Sequence, residues 1–151
     1  MQVVLVLHNL IRWAVLLFGV WTFFNSLAGV VGKRIYTRSE DRTSFLFTLS
    51  CDIQLLLGLA LYFSNQWFER LKNLNMKDTY NRFFSLEHAS MMIIAWILVH
   101  AGRVAVKKSA TPQGKHKKAL IFFGLAILLI LAAIPWPFRE TVMRPLYRWF
   151  N

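Results

Sequence analysis

The sequence predicts an all-α membrane protein: a four-transmembrane-helix bundle threaded up-down-up-down, followed by a short interfacial C-terminal segment. Three observations predict it. Of the 151 residues, 56% are hydrophobic, including 13 Phe and 6 Trp, whereas soluble domains average roughly 45–50% apolar. Mean hydropathy is correspondingly high, at +0.43. Next, the chain holds four apolar runs, each able to cross a hydrocarbon core of roughly 30 Å at about 1.5 Å per residue. Finally, the charged residues gather between those runs. The net charge is +11, from 18 Lys+Arg against 7 Asp+Glu. Placed in loops, that excess points to membrane topology and anionic lipid headgroups, not to nucleic acid.

The elements follow in order. Helix 1 is expected at about 3–31, with no charge from Trp13 to Gly32. Ser26-Leu27-Ala28 loosely resembles a cleavage site, but the extreme N-terminus, ahead of Val3, carries no Lys or Arg, so the segment reads as a retained span. Lys33–Arg42 is a charged loop. Helix 2, at about 43–68, carries Asp52 as its one charge. Glu69–Arg82 is a mixed-charge loop. Helix 3 follows at about 83–106. Lys107–Lys118 is strongly basic and broken at Thr111-Pro112. Helix 4, at about 119–136, is stopped by Pro135-Trp136-Pro137. The tail sets Arg139, Arg144 and Arg148 among Tyr147, Trp149 and Phe150. It is too short and too charged for a fifth span and reads as interfacial. The whole chain, 1–151, is one membrane domain. Cys51 is the single cysteine, which excludes an intrachain disulfide and a Cys-based metal motif. The first and third loops carry the larger Lys/Arg excess, which assigns them to the cytoplasm and both termini to the outer side.

Ionisable groups inside the spans are costly, so each is a functional candidate. His8 and His88 lie a few residues inside helices 1 and 3, at similar depth near the outer leaflet. In a four-helix bundle those helices stand diagonally across the core. Two imidazoles facing each other there can ligate a haem iron on both faces. Arg12, one turn below His8, and Arg139, after helix 4, are candidates to neutralise haem propionates. Two other readings stay open: interhelical polar contacts without a cofactor, and a His/Glu metal site using His8, Glu87 and His88. Adjacent residues on a helix point about 100° apart, which disfavours Glu87 and His88 sharing one ion. His100 lies about 18 Å below His88 and cannot serve the same iron. Its expected partner is Asp52, in the lower half of the bundle. That pair reads either as a buried ion pair fixing helix register or as a proton-relay or quinol-site pair. No nucleophile elbow, phosphate loop or HExxH motif is present.

Four stretches carry a resemblance: Leu7-His8-Asn9-Leu10-Ile11-Arg12-Trp13; Gln54-Leu55-Leu56-Leu57-Gly58-Leu59; Phe83-Phe84-Ser85-Leu86-Glu87-His88-Ala89-Ser90-Met91-Met92; and Ile134-Pro135-Trp136-Pro137-Phe138-Arg139. With these the chain resembles a family of small bacterial four-helix membrane proteins labelled "cytochrome b"-like, with no assigned activity. The resemblance implies a b-type haem, and His8 and His88 fall within its motifs. Relatives carry a further histidine just before the helix 2 glutamine, where this chain reads Cys51-Asp52-Ile53. That departure argues against a haem ligand on helix 2.

The expectation is therefore a bacterial inner-membrane protein with both termini periplasmic. Haem b would sit between His8 and His88 for one-electron transfer near the periplasmic leaflet, beside a quinone pool or within a respiratory complex. This is an electron carrier or accessory subunit before it is an enzyme. The alternative is a cofactor-free accessory subunit whose polar residues hold the bundle and whose tail contacts a larger complex.

Overall fold

The computed structural model describes residues 1–147; Arg148, Trp149 and Phe150 of the expected tail lie outside the described residues. The elements are α1 (Gln2–Val31), α2 (Arg38–Ser64), α3 (Trp67–Lys72), α4 (Thr79–Arg82), a π-helical turn (Phe83–Glu87), α5 (His88–Lys107) and α6 (Pro112–Ala133). The described residues are all-helical, and four helices are long and apolar enough to cross a membrane: α1, α2, the Thr79–Lys107 run and α6. α1 packs on α2 and α6, and α5 packs on the same two, so α1 and α5 face each other diagonally.

The helix ends differ from the sequence expectation for local reasons. α2 begins at Arg38, five residues early. Thr37 caps it: its hydroxyl accepts from Ser39 N, while Glu40 reaches back to Thr37 N at 2.8 Å in a capping box. The far end stops at Ser64, where Ser64 and Asn65 bond the carbonyls of Ala60 and Leu61 and Gln66 turns left-handed at φ 59°. α6 begins at Pro112, seven residues early. Thr111 Oγ1 accepts from Gly114 N at 3.0 Å, and Pro112 occupies the first helical position. The lysine-rich segment is thus two turns of helix, with long side chains that can keep their charges in water.

Phe47, Val99, Phe123 and Ala126 are fully or nearly fully buried, and Phe47 meets Phe123 edge-to-face at 5.9 Å. The outward faces are equally apolar: Leu17, Leu56, Ile97 and Leu128 are each more than half exposed. A helix bundle apolar inside and out is matched to lipid. Both basic loops lie at one end. Gln113 Nε2 donates to the carbonyl of Gly29 at 3.1 Å, and His116 Nε2 lies 3.4 Å from that of Ile35. At the same end Arg103 Nη1 bonds Asp41 Oδ1 at 2.8 Å and Ser44 Oγ at 2.6 Å, tying α5 to the first turns of α2.

Candidate functional site

The opposite end gathers the candidate ligands. α6 is terminated by Pro135, and its last carbonyls must find other donors. Ile134 N takes that of Ile130 at 3.1 Å, and Trp136 Nε1 takes that of Leu131 at 2.9 Å. Arg139 Nη1 takes that of Ala132 at 3.0 Å, and His88 Nδ1 takes that of Ala133 at 2.8 Å. The Ile134–Arg139 motif is therefore a helix stop that also orients an imidazole. With Nδ1–H donated to a carbonyl, His88 presents the lone pair of Nε2, which has no partner among the described residues. Phe83 and Phe84 flank the ring, with centroids 5.9 and 6.3 Å away.

A π-helical turn ends immediately before His88, whose backbone N–H reaches Phe83 O. Such a turn frees carbonyl groups and is common at functional sites. Here Ser85 O accepts from Tyr62 Oη at 2.8 Å, pinning the turn to α2.

His8 approaches from α1 and meets α2. Its Nε2 lies 3.3 Å from Gln54 Nε2 on α2. Four residues on, Gly58 offers the imidazole a bare backbone: a Cβ there would stand 3.2 Å from His8 Cε1. His8 Nδ1 and Gln54 Oε1 are buried without partners among the described residues. Buried polar atoms are rarely left so. Each histidine thus keeps one ring nitrogen open.

The two arginines have partners within the chain. Arg12 is buried, and its Nη2 donates to the carbonyl of Leu146 at 2.7 Å. Trp13 Nε1 shares that carbonyl at 3.2 Å, and Trp13 stacks on Tyr147 at 5.6 Å. The tail thus folds back over the start of α1. Arg139 caps α6 and lies 4.9 Å from the Phe83 ring centre, a cation where a helix C-terminus favours one. Glu87 pairs with Arg82 at 2.6 Å. Among the described residues no three His, Cys, Asp or Glu groups converge to hold an ion, so the His8–Glu87–His88 metal site is not formed.

His100 Nε2 lies 2.8 Å from Asp52 Oδ1, and Trp96 Nε1 donates to the same oxygen at 2.6 Å. The sequence reading expected this pair to be buried. The side chains of His100 and Asp52 are instead 41% and 37% exposed, because they meet at an open outer seam between α2 and α5. Three partners escaped the sequence reading. Gln54 lies in a stretch that carries the resemblance but has no partner assigned there, although its spacing from Gly58 puts both on one face. Tyr62 gave no signal. His116, fully buried, was hidden in a lysine run.

Comparison with family models, curated proteins and solved structures finds no match to this chain.

Proposed function

We propose that the protein is a membrane b-type haem protein for one-electron transfer, with His8 and His88 as the two axial ligands. The observation that carries the reading is the placement of two imidazoles on diagonal helices at one end of the bundle, each with a polar neighbour at one ring nitrogen and, among the described residues, none at the other. Ligating histidines characteristically give their other ring nitrogen to a carbonyl or similar partner, which fixes tautomer and orientation. His88 has that partner in Ala133 O; at His8 the neighbour is the Gln54 amide, whose Oε1, otherwise unpartnered among the described residues, takes the same role once the amide is turned by 180°. The orphaned His8 Nδ1 leaves a ring nitrogen free for a ligand at this end of the bundle, and the bare backbone of Gly58 makes room for the His8 ring. The resemblance to "cytochrome b"-like chains agrees with this reading.

A bound haem would supply a one-electron couple. The chain's own contribution is to orient two imidazoles, to surround them with apolar and aromatic side chains, and to close one end with the tail held by Arg12. Burial and ligand hydrogen bonding are the levers by which a protein sets such a potential. The basic loops gathered at the other end support a cytoplasmic placement of that end and periplasmic termini, and the resemblance supports a bacterial inner membrane. Electrons would pass to the lipid quinone pool or to a respiratory complex.

The test is haem content and the reduced-minus-oxidised spectrum of protein expressed with added haem. Wild type and His100→Ala retain a low-spin b-type spectrum; His8→Ala and His88→Ala lose it. Absence of haem in the wild type, or its retention by either ligand variant, overturns the reading. A haem-free wild type would leave a cofactor-free accessory subunit.

A further inference from the structure

A carboxylate and an imidazole lie half exposed on the outside of the bundle, far from any aqueous end. Asp52 stands about 20 Å from either end of α2 at helical rise. At such depth an uncovered polar pair is expensive, and the surroundings must supply it with partners. Two atoms lack them among the described residues. Asp52 Oδ1 accepts from both Trp96 Nε1 and His100 Nε2, which leaves Oδ2 open. His100, having donated through Nε2, presents its Nδ1 lone pair. Both open atoms are acceptors, so the complementary molecule brings hydroxyl donors. His100 itself borders a shallow, largely apolar groove along one face of α5, lined further by Trp96, Ile97, Ala101, Val104 and Ala105, with Lys108 at its end. The small side chains of Ala101 and Ala105 leave room there for a flat ring and an aliphatic tail, and Trp96 stands 4.4 Å from His100, ring centre to ring centre.

We propose that this seam binds the hydroxylated headgroup of a lipid-phase quinol, its O–H groups donating to Asp52 Oδ2 and His100 Nδ1. A second copy of the chain fits less well. The residues that line this face, Trp96, Ile97, Ala101, Val104 and Ala105 among them, bring no hydroxyl donor to the two open acceptors. The reduced ring is preferred over the quinone, whose carbonyls offer no donor. The site shares no residue with the His8–His88 pair and stands whether or not haem binds there.

The test uses the full chain in lipid nanodiscs. The probe is a tritiated decyl-tailed benzoquinone, applied oxidised or kept as the hydroquinone by dithionite. The hydroquinone binds saturably and about tenfold or more tighter than the quinone. Asp52→Asn, isosteric and carrying N–H donors, reverses that preference. Ala101→Phe, at an exposed position, weakens both forms about tenfold or more by filling the groove. His8→Ala leaves binding unchanged, which separates this result from failure of the haem reading. Non-saturable partition, equal affinity for the two forms, or wild-type binding by Asp52→Asn and Ala101→Phe overturns the proposal. So does disulfide cross-linking of an Ile97→Cys variant between copies together with absent probe binding, which assigns the face to a second copy.

Discussion

Gly29→Ala is expected to be among the more damaging small substitutions in this chain, through a single neighbour. The imidazole of His116 lies flat against the α1 backbone at Gly29. A Cβ there would overlap three of its ring atoms, Nδ1, Cε1 and Cγ. The ring cannot swing into solvent, because His116 is fully buried and packs at 5.1 Å on the Tyr36 ring. Overpacking of this kind costs about 1–3 kcal/mol. Displacing the ring also loosens its contact with the Ile35 carbonyl, which adds about 0.5–1 kcal/mol. A total of about 2–3 kcal/mol is expected. The sign reverses once the ring is gone: in a His116→Ala background the added methyl fills vacated space and gains helix propensity, up to about 1 kcal/mol over Gly. The assay is a double-mutant cycle by reversible unfolding in mixed micelles, followed by far-UV circular dichroism. The two single costs should exceed the double by about 2–4 kcal/mol. Equal costs for Gly29→Ala in both backgrounds refute the reasoning.

Three further outcomes are expected. A cysteine introduced at exposed Ala110 stays unlabelled by an impermeant maleimide in intact spheroplasts and reacts after lysis, since the basic loops are assigned to the cytoplasm; labelling before lysis reverses the topology. Asp41→Ala alone costs about 1.5–3 kcal/mol, because Arg103, 12% exposed, keeps its charge with fewer partners. Asp41→Ala with Arg103→Met costs less than Asp41→Ala alone, and a larger cost for the double is the contrary result. Burial pushes the Tyr36 phenol above its ordinary value, in a setting shared with Ser44, Asp41, Arg103 and Glu40. A raised folded-state value means that the associated stability is complete below the unfolded value, near pH 10, and is lost as pH rises through the folded one. Tyr36→Phe therefore flattens the alkaline limb of unfolding measured from pH 8 to 11; identical limbs for both proteins contradict it.

The helices were legible because a span is a matter of length and hydropathy, and Leu, Ile, Val and Phe declare both. Their ends were less so. The sequence reading gave charged residues to loops, but the first turns of α2 and α6 emerge from the apolar layer and carry charge as helix. Thr37 with Glu40, and Thr111 with Pro112, were capping signals within those charged stretches. The π-helical turn at Phe83–Glu87 has no marker in composition. It depends on Tyr62 reaching the Ser85 carbonyl from another helix, a tertiary contact that no local pattern encodes. His8 and His88 could be ranked by depth. Their supports, Gln54 and Ala133 O, required knowing which faces meet.

Depth and facing are separate quantities, and the second explains why the polar groups on α5 divide into two sites. Hydropathy places His88 and His100 along one helix, twelve residues apart. At about 100° per residue that spacing is three full turns and a third of another. If His88 faces the core, His100 must look some 120° away, toward the seam with α2. On α2 the same arithmetic parts Asp52 from Gln54. Two residues amount to about 200°, so Gln54 can meet His8 inside only if Asp52 turns nearly opposite. The two helices are phased against each other: each sends one polar residue inward at the His8 end and one outward at the seam. An Asp52–His100 pair buried in the core would therefore need α2 or α5 to rotate about its axis, carrying Gln54 or His88 away from His8. The half-exposed pair follows from the inward placement of the histidines, and the π-helical turn just before His88 is where the phase of α5 is set.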